Sequence, residues 1–209
     1  MGGYPPIYFT KKSDDMKKTK EITRKKLLES AAHEFSIHGY EESSIDDISI
    51  NAGYGKGTIY NYFKNKQDVF LSVIQSSFNN LVESIKESIK DIDTTEEKLK
   101  EAIKTDVRYV INNSSLLMTI IREAYIPDEE RSQYVIAETS TIFELYLSLI
   151  EDGIKEGCFP EETNPVLSAS AIMGMCENLS LSNVLLKGAF GSEDELAQWI
   201  IDFIFNGMK

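Results

Sequence analysis

The sequence predicts an all-α fold of about nine helices, in which an N-terminal three-helix helix-turn-helix domain precedes a larger helical domain. Apolar residues recur three and four positions apart in one segment after another, which is the spacing of a buried helix face. No segment shows the strict two-residue alternation of a half-buried strand. Capping residues and glycines mark where helices begin and end, as at Asn164-Pro165 and at Gly157. These patterns leave no place for a β-sheet.

Residues 1–15 are expected to form a disordered tail, because Pro5 and Pro6 prevent a helix and no helical period is present. The apolar group in this tail is too short for the core of a signal peptide. A helix is then predicted from about Met16 to Ile37, closing on Gly39. This helix opens the helix-turn-helix domain, which is expected to span residues 16–66.

Residues 44–66 carry the pattern of a helix-turn-helix. Ser44 is a good N-cap for a short helix, and Gly53 ends that helix at a position where a left-handed residue is favoured. A second short helix is predicted from Lys56 to Phe63, with Ile59 and Phe63 facing inward. Two short helices joined by a turn that contains glycine are typical of this motif.

The charge distribution favours nucleic acid as the partner of this part of the chain. The net charge is -12, yet residues 1–66 hold 11 basic and 9 acidic residues, whereas residues 67–209 hold 11 basic and 25 acidic ones. No acidic residue occurs between Asp47 and Asp68, so this window is a candidate phosphate-facing surface. The alternative is an ordinary helical hairpin with a solvated face. The residues that can donate to phosphates or reach base edges are Lys56, Gly57, Thr58, Tyr60, Asn61, Tyr62, Lys64 and Lys66.

The segment A-G-Y-G-K-G-T-I-Y-N-Y-F-K-N-K-Q-D-V-F resembles the DNA-binding signature of the TetR family of transcriptional regulators. The likeness runs from about Ile22 to Phe70 and includes Phe35 and Gly39-Tyr40 at the end of the preceding helix. It implies that the first domain binds double-stranded DNA. It also implies that the second domain forms a homodimer through its last two helices and holds a pocket for a small-molecule effector.

The sequence departs from the family pattern directly after the turn glycine. Many members carry Val-Ser there, whereas this chain has Tyr54-Gly55. The nearest hydroxyl groups for a DNA contact are then those of Ser43 and Ser44. The resemblance also implies that Lys66 anchors the domain on the DNA backbone.

The second domain is expected to span residues 67–209 and to consist of helices only. Thr94 and Glu97 form a capping box, and Ser192 and Glu195 form another. The predicted segments are residues 67–91, 94–112, an apolar stretch from 114, 127–156, 164–187 and 192–206. No apolar run approaches the ~20 residues that a membrane span requires, so no membrane partner is expected.

The last two predicted helices carry more apolar residues than one packing face needs, and four such helices, two from each chain, could bury them. The alternative is that these helices pack only on their own domain. The residues predicted to form the dimer interface are Ala169, Val184, Leu196, Ile200, Phe203 and Ile204.

The second domain also has enough aromatic, methionine and arginine residues to line a ligand pocket. Glu177 is the most informative, because it lies inside an apolar run and a buried carboxylate needs a partner. That partner could be Arg122 or a cationic ligand, although Glu123 could pair with Arg122 instead. The candidate ligand-binding residues are Phe78, Tyr109, Met118, Arg122, Tyr125, Phe143, Tyr146, Met173 and Glu177.

Catalytic and metal sites find no support in the sequence. It has no nucleophile elbow, no glycine-rich phosphate loop and no cluster of metal ligands around His33 or His38, so neither an enzyme nor a cofactor is expected. Two cysteines, Cys158 and Cys176, indicate only a reduced setting, consistent with the cytoplasm. We therefore expect a repressor that a small apolar or amphipathic ligand releases from a palindromic operator. The alternative is an architectural or ligand-independent DNA-binding protein.

Overall fold

A computed structural model of the protein describes residues 10–124 and 129–207. Within these ranges the chain is all-α, as the sequence predicts, and no β-strand occurs. Eight α-helices and one 3₁₀ turn follow one another as α1 (Thr10–Glu42), α2 (Ile45–Asn51), the 3₁₀ turn (Ile59–Asn61), α3 (Lys66–Ile89), α4 (Thr95–Asn112), α5 (Ser114–Ala124), α6 (Glu129–Lys155), α7 (Pro165–Leu185) and α8 (Glu193–Gly207).

The chain forms two compact units, the first ending at Val73 and the second beginning at Ile74. The division falls inside α3, which contributes its first eight residues to the first unit and the rest to the second. The domain boundary predicted after residue 66 falls at the start of α3, ahead of the division between the two units. No helix among the described residues is long and apolar enough to cross a membrane.

The first unit is built on α1, which begins at Thr10 and therefore includes six residues that were expected to belong to a disordered tail. Residues 1–9 lie outside the described part of the chain. No proline follows Pro6 in this region, so nothing in the local sequence stops the helix from starting before residue 16. Near its other end α1 is interrupted at Gly39, whose φ of 74° suits glycine.

The core of the first unit joins the end of α1 to the start of α3. The ring of Phe70 lies edge-on to Phe35, with 5.1 Å between the ring centroids, and 4.8 Å from the ring centroid of Tyr40. Ile59 is fully buried and Phe63 is almost so, as the sequence predicts for the inward face of the helix-turn-helix. These contacts hold the segment between α2 and α3 against α1.

The helix-turn-helix differs from the prediction in its second helix. Ser44 caps α2 by accepting a 3.3 Å hydrogen bond from the backbone N–H of Asp47, and Gly53 follows with a φ of 84°, as expected. After Gly53, however, only the 3₁₀ turn Ile59–Asn61 forms instead of an α-helix over residues 56–63. Gly55 and Gly57 disfavour an α-helix there. The Ser49 hydroxyl also donates a 2.6 Å hydrogen bond to the carbonyl of Gly55.

The second unit packs around α4, which contacts α6, α7 and α8. Its core is aliphatic, with Leu99 and Ile103 of α4 fully buried, and the Tyr146 side chain of α6 is buried among them. The predicted helix starts are confirmed at three caps, where the side chains of Thr94, Asn164 and Ser192 accept hydrogen bonds from the backbone three residues later. Pro127, the start predicted for the helix observed as α6, lies outside the described residues.

Candidate functional site

The predicted DNA-contacting residues of the first unit form a largely exposed segment between α2 and α3. Tyr60 is 56% exposed, although it stands directly after the fully buried Ile59. The core therefore holds the backbone in place while the Tyr60 ring faces solvent. The other predicted residues include exposed ones, namely Lys56, Gly57, Asn61 and Lys64, and half-buried ones, namely Ser44, Thr58, Tyr62 and Lys66.

Ser43 does not belong to this exposed segment. It is buried, and its hydroxyl donates a hydrogen bond to the backbone carbonyl of Gly39 and lies 3.3 Å from that of Glu34. The neighbouring Ser44 hydroxyl caps α2. Both hydroxyl groups thus satisfy local backbone groups, which is a common role of serine near helix ends. The sequence places the two serines beside the motif but does not show that their hydroxyl groups already form hydrogen bonds with the backbone.

Two of the three lysines in the acid-free window have partners within the unit. The Lys66 ammonium donates a 2.7 Å hydrogen bond to the carbonyl of Glu41 and lies 4.8 Å from the ring centroid of Tyr40. Lys56 forms an exposed ion pair with Asp46, with 3.3 Å between Nζ and Oδ2. An ammonium has three donors, so Lys66 is oriented by the end of α1 and still has donors for a phosphate.

A basic cleft beside the motif adds Arg24, which is not among the residues predicted to contact DNA. Lys20, Arg24, Asn61 and Tyr62 line this cleft together with Glu21. The Arg24 guanidinium lies 5.3 Å from the ring centroid of Phe63 and donates a 3.3 Å hydrogen bond to Ser72 Oγ. The signal in the sequence is the helical spacing of Lys17, Lys20 and Arg24, which puts three basic residues on one side of α1.

The second unit contains a cavity of about 220 Å³ bounded by helices α3 to α7. Nine apolar residues line it, namely Phe78, Leu81, Val110, Leu117, Ile120, Ile121, Val135, Ile142 and Met173. Its polar lining residues are Ser77, Asp106, Thr139 and Glu177. Three of the predicted ligand-binding residues, Phe78, Met173 and Glu177, therefore lie together on its wall.

Five other predicted ligand-binding residues, Tyr109, Met118, Arg122, Phe143 and Tyr146, are described and are not part of this wall. Tyr109 donates a 2.8 Å hydrogen bond to the carbonyl of Ser77, and burial raises the pKa of Tyr109 to about 12. Met118 and Phe143 are half-buried elsewhere, and Tyr125 lies outside the described residues. Arg122 is exposed and stands 3.7 Å from the Glu123 carboxylate, which is the alternative pairing that the sequence left open.

Tyr146 acts on the cavity through Asp106. The buried Tyr146 hydroxyl donates a 2.8 Å hydrogen bond to Asp106 Oδ2. Burial raises the pKa of Asp106 from 3.8 to about 7, although the hydrogen bond from Tyr146 acts in the opposite direction. The charge of Glu177 raises the pKa of Asp106 further, and burial also raises the pKa of Glu177 itself.

Asp106 is not among the predicted ligand-binding residues, although it interrupts an apolar run as Glu177 does. Asp106 lies on the apolar stripe of α4, spaced three and four residues from Ile103 and Val110. A carboxyl group on a buried stripe needs hydrogen-bond donors, and the structure supplies one from Tyr146. Although Glu177 is exposed as a whole residue, it lines the same cavity.

Most of the predicted dimer-interface residues lie inside the second unit. Ala169, Leu196, Ile200 and Ile204 are at most 3% exposed, so they pack within their own chain. Val184 and Phe203 are exposed, as an interface requires. Helices α7 and α8 are apolar on two faces, and the residues chosen from the sequence came mainly from the inner one. The outer face presents Leu167, Leu185, Trp199 and Phe203, and the last two rings stack with centroids 5.5 Å apart.

Among the described residues, no group of three or more His, Cys, Asp or Glu side chains is placed to hold a metal ion. The arrangement of the second unit thus provides an apolar cavity with hydrogen-bonding groups on its wall. The first unit provides an exposed, acid-poor segment next to basic residues of α1. The cavity is suited to a small ligand, and the exposed segment is suited to a phosphate backbone.

Comparison with known proteins matches both units. Residues 27–73 match the family model described as bacterial regulatory proteins of the tetR family, and residues 93–181 match one described as a tetracyclin repressor-like C-terminal domain. The two matches together span more than half of the chain. The fatty acid metabolism regulator protein of Bacillus subtilis (strain 168) is 27% identical over 152 residues, covering 71% of this chain and 76% of that protein.

Solved structures share the fold over most of the chain. The fatty acid degradation regulator FadR of Bacillus halodurans has a TM-score of 0.79 at 22% identity, covering 90% of this chain and 96% of that one. FadR of Bacillus subtilis, solved in complex with stearoyl-CoA, has a TM-score of 0.77 at 22% identity, covering 88% and 98%. The chain therefore belongs to the TetR family and is a DNA-binding transcriptional regulator.

Proposed function

We propose that the protein is a homodimeric repressor that leaves a palindromic operator when an amphipathic ligand with an acyl chain enters the cavity of the second unit. The observation that carries this proposal is the cavity itself, whose wall is mostly aliphatic. The named relatives support the class of ligand, because two of them are regulators of fatty acid metabolism or degradation and one was solved with stearoyl-CoA. The protein acts by binding rather than by catalysis, and it works in the cytoplasm, where its DNA is.

The size of the cavity provides a reason for the ligand to change the protein. The cavity volume of about 220 Å³ lies below the roughly 300–1,000 Å³ of ordinary small-molecule sites. A long acyl chain is therefore proposed to enter with the helices around the cavity moved apart. A ligand that requires the enlarged cavity binds that state more tightly and shifts the protein toward it.

Helix α3 offers a route from the cavity to the DNA. Ser77, Phe78 and Leu81 of α3 line the cavity, and Lys66 is the first residue of the same unbroken helix. A ligand that displaces α3 would therefore move residues at its start and change the spacing of the two DNA-binding units of a dimer. A coupling free energy of ~1–3 kcal/mol would be enough for a useful response.

The dimer is proposed to form through the outer face of α7 and α8. Leu167 and Leu185 are both 67% exposed, and Trp199 and Phe203 are both 55% exposed. Leaving such large apolar side chains in water is unfavourable, and a two-fold pairing of α7 and α8 would bury all four in each chain. The two DNA-binding units would then engage half-sites about one helical turn apart.

Operator release tests this function. An operator is first selected from random DNA with the full-length protein, and its retention is then measured during titration with stearoyl-CoA. We expect release by stearoyl-CoA and none by coenzyme A alone, since only the acyl chain suits the cavity. Retention of the operator at saturating stearoyl-CoA, and with shorter acyl chains as well, would show instead a DNA-binding protein that does not respond to this class of ligand.

A further inference from the structure

Two carboxyl groups stand on the wall of the otherwise apolar cavity, at different depths. Asp106 of α4 is only 4% exposed, whereas Glu177 of α7 is exposed as a residue. One carboxyl therefore belongs to the interior of the cavity and the other to its solvent side. Both carboxyls line the cavity, so a ligand inside it can approach them.

Among the described residues, no basic side chain is placed to balance the charge of these carboxyls. The Tyr146 hydroxyl donates to Asp106, and the Cys176 thiol lies 4.0 Å from that hydroxyl; both groups are neutral. None of the lining residues that the structure describes is basic. Arg122 is exposed and lies next to the carboxylate of Glu123. A buried carboxylate is costly unless it is paired with a positive charge, so this cavity favours a ligand that brings one.

We propose that Asp106 and Glu177 set the charge of the ligand group that this cavity admits, accepting cationic amines and neutral hydrogen-bond donors and rejecting carboxylates. The proposal rests on the proposed function, in which the cavity is the ligand site. An ammonium gains an ion pair, an alcohol gains a hydrogen bond, and a carboxylate meets a like charge whichever way round the ligand enters.

This charge rule predicts different affinities for ligands that have the same hydrocarbon chain and different end groups. The thioester of an acyl-CoA is neutral, so its chain can fill the cavity while the charged headgroup stays in solvent. The free fatty acid of the same length carries its charge at the end of the chain, beside Glu177 or Asp106. The cavity would therefore distinguish an esterified acyl group from the free acid, as well as binding amphiphilic amines.

The test uses three compounds with the same short chain: octylamine, octanol and octanoate. Their dissociation constants for the full-length protein are measured by calorimetry at about pH 8, where the amine is protonated and carboxyl groups are ionised. We expect octylamine to bind at least about tenfold more tightly than octanoate, with octanol between them. Equal binding of the three compounds would contradict the charge rule while leaving the proposed function intact.

Substitutions then assign the effect to the two carboxyls. Glu177→Gln and Asp106→Asn should each reduce the preference for the amine, and the double variant should remove it. Glu144→Gln, which changes an exposed carboxyl of α6 outside the cavity wall, is the matched control and should keep it. Met173→Trp should abolish binding of all three compounds by filling the cavity.

Two outcomes separate the inference from the function on which it rests. A preference that survives in the double variant would overturn the charge rule. Absence of binding by all three compounds and by stearoyl-CoA would contradict the use of the cavity as a ligand site, and the charge rule with it. Because Glu177 is exposed, its variant is expected to fold even if Asp106→Asn does not.

Discussion

The hydroxyl of Tyr146 donates a 2.8 Å hydrogen bond to Asp106 Oδ2, and both side chains are buried. The pair joins α6 to α4 at the wall of the cavity. Since the carboxyl is held out of water, its proton is retained to a higher pH than in the unfolded chain. Asp106 therefore contributes to the pH dependence of the protein's stability.

The first prediction follows from the pKa of Asp106, which burial raises from 3.8 to about 7. Between these two values the unfolded chain releases the proton of Asp106 and the folded chain keeps it, so a rise in pH lowers the free energy of unfolding. Asp106→Asn removes this loss. The free energy of unfolding of the variant minus that of the wild type should therefore increase by on the order of 1–3 kcal/mol as the pH rises from 5 to 8.

Denaturant titrations at several pH values measure this difference. Glu144→Gln, which removes an exposed carboxyl from the same unit, should show a nearly constant difference from the wild type over the range. A flat difference for Asp106→Asn as well would mean that Asp106 is not shielded from water in the folded protein.

The second prediction concerns DNA reading by Tyr60, which is 56% exposed. Tyr60→Ala should leave the melting temperature almost unchanged and weaken binding to the selected operator by on the order of 1–3 kcal/mol. Tyr60→Phe separates two contacts: a loss as large as that of alanine indicates a hydroxyl bond to phosphate, and a small loss indicates ring contact with a thymine methyl. Wild-type affinity of Tyr60→Ala would show that the recognition surface lies elsewhere.

The third prediction concerns Lys66 and the DNA backbone. Lys66→Ala should weaken binding to all DNA sequences alike and reduce the salt dependence of binding by about one ion. The variant also loses the hydrogen bond to the Glu41 carbonyl, so its melting temperature must be compared with the wild type. Lys86→Ala, at an exposed position of the same helix in the second unit, is the control and should bind with an unchanged salt slope. A loss confined to one operator sequence would contradict a phosphate contact.

The fourth prediction concerns assembly. Phe203 is 55% exposed and stacks on Trp199, so a charge at this position should prevent two outer faces from pairing. Phe203→Asp should sediment as a monomer and lose binding to a palindromic operator. Ile37→Asp introduces the same charge at a 58% exposed isoleucine of the first unit and should remain dimeric. A dimeric Phe203→Asp would move the interface away from α8.

The helices and their caps could be predicted because the signals are local. An N-cap bond joins a side chain to the backbone N–H three residues later, so its signal is short in sequence, and Ser44, Thr94 and Asn164 all form such bonds. The second helix of the helix-turn-helix was predicted too long. The hydrogen bond from the Ser49 hydroxyl to the Gly55 carbonyl forms only when the loop folds back onto α2, and local sequence does not show this. Local sequence patterns therefore predict the first residue of a helix better than its length.

The roles of individual side chains depended on packing that the pattern does not contain. Helix α8 is apolar on two sides, and its sequence does not show that Ile200 faces the chain's own core while Phe203 faces outward. Asp106 and Glu177 interrupt apolar runs in the same way, yet only the three-dimensional structure shows that they share one cavity. Arg122 is the reverse case, because its side chain is exposed and lies outside the cavity wall.

The most direct test fills the cavity. Met173 of α7 lies on its wall, and Met173→Trp should occupy the space that a ligand needs while leaving the DNA-binding unit unchanged. Ser148→Trp places the same side chain at an exposed position of α6 outside the wall and serves as the matched control. Operator retention is measured for both variants during titration with stearoyl-CoA. Met173→Trp should bind the operator as the wild type does and fail to release it, whereas release at wild-type concentrations would contradict a ligand site in this cavity.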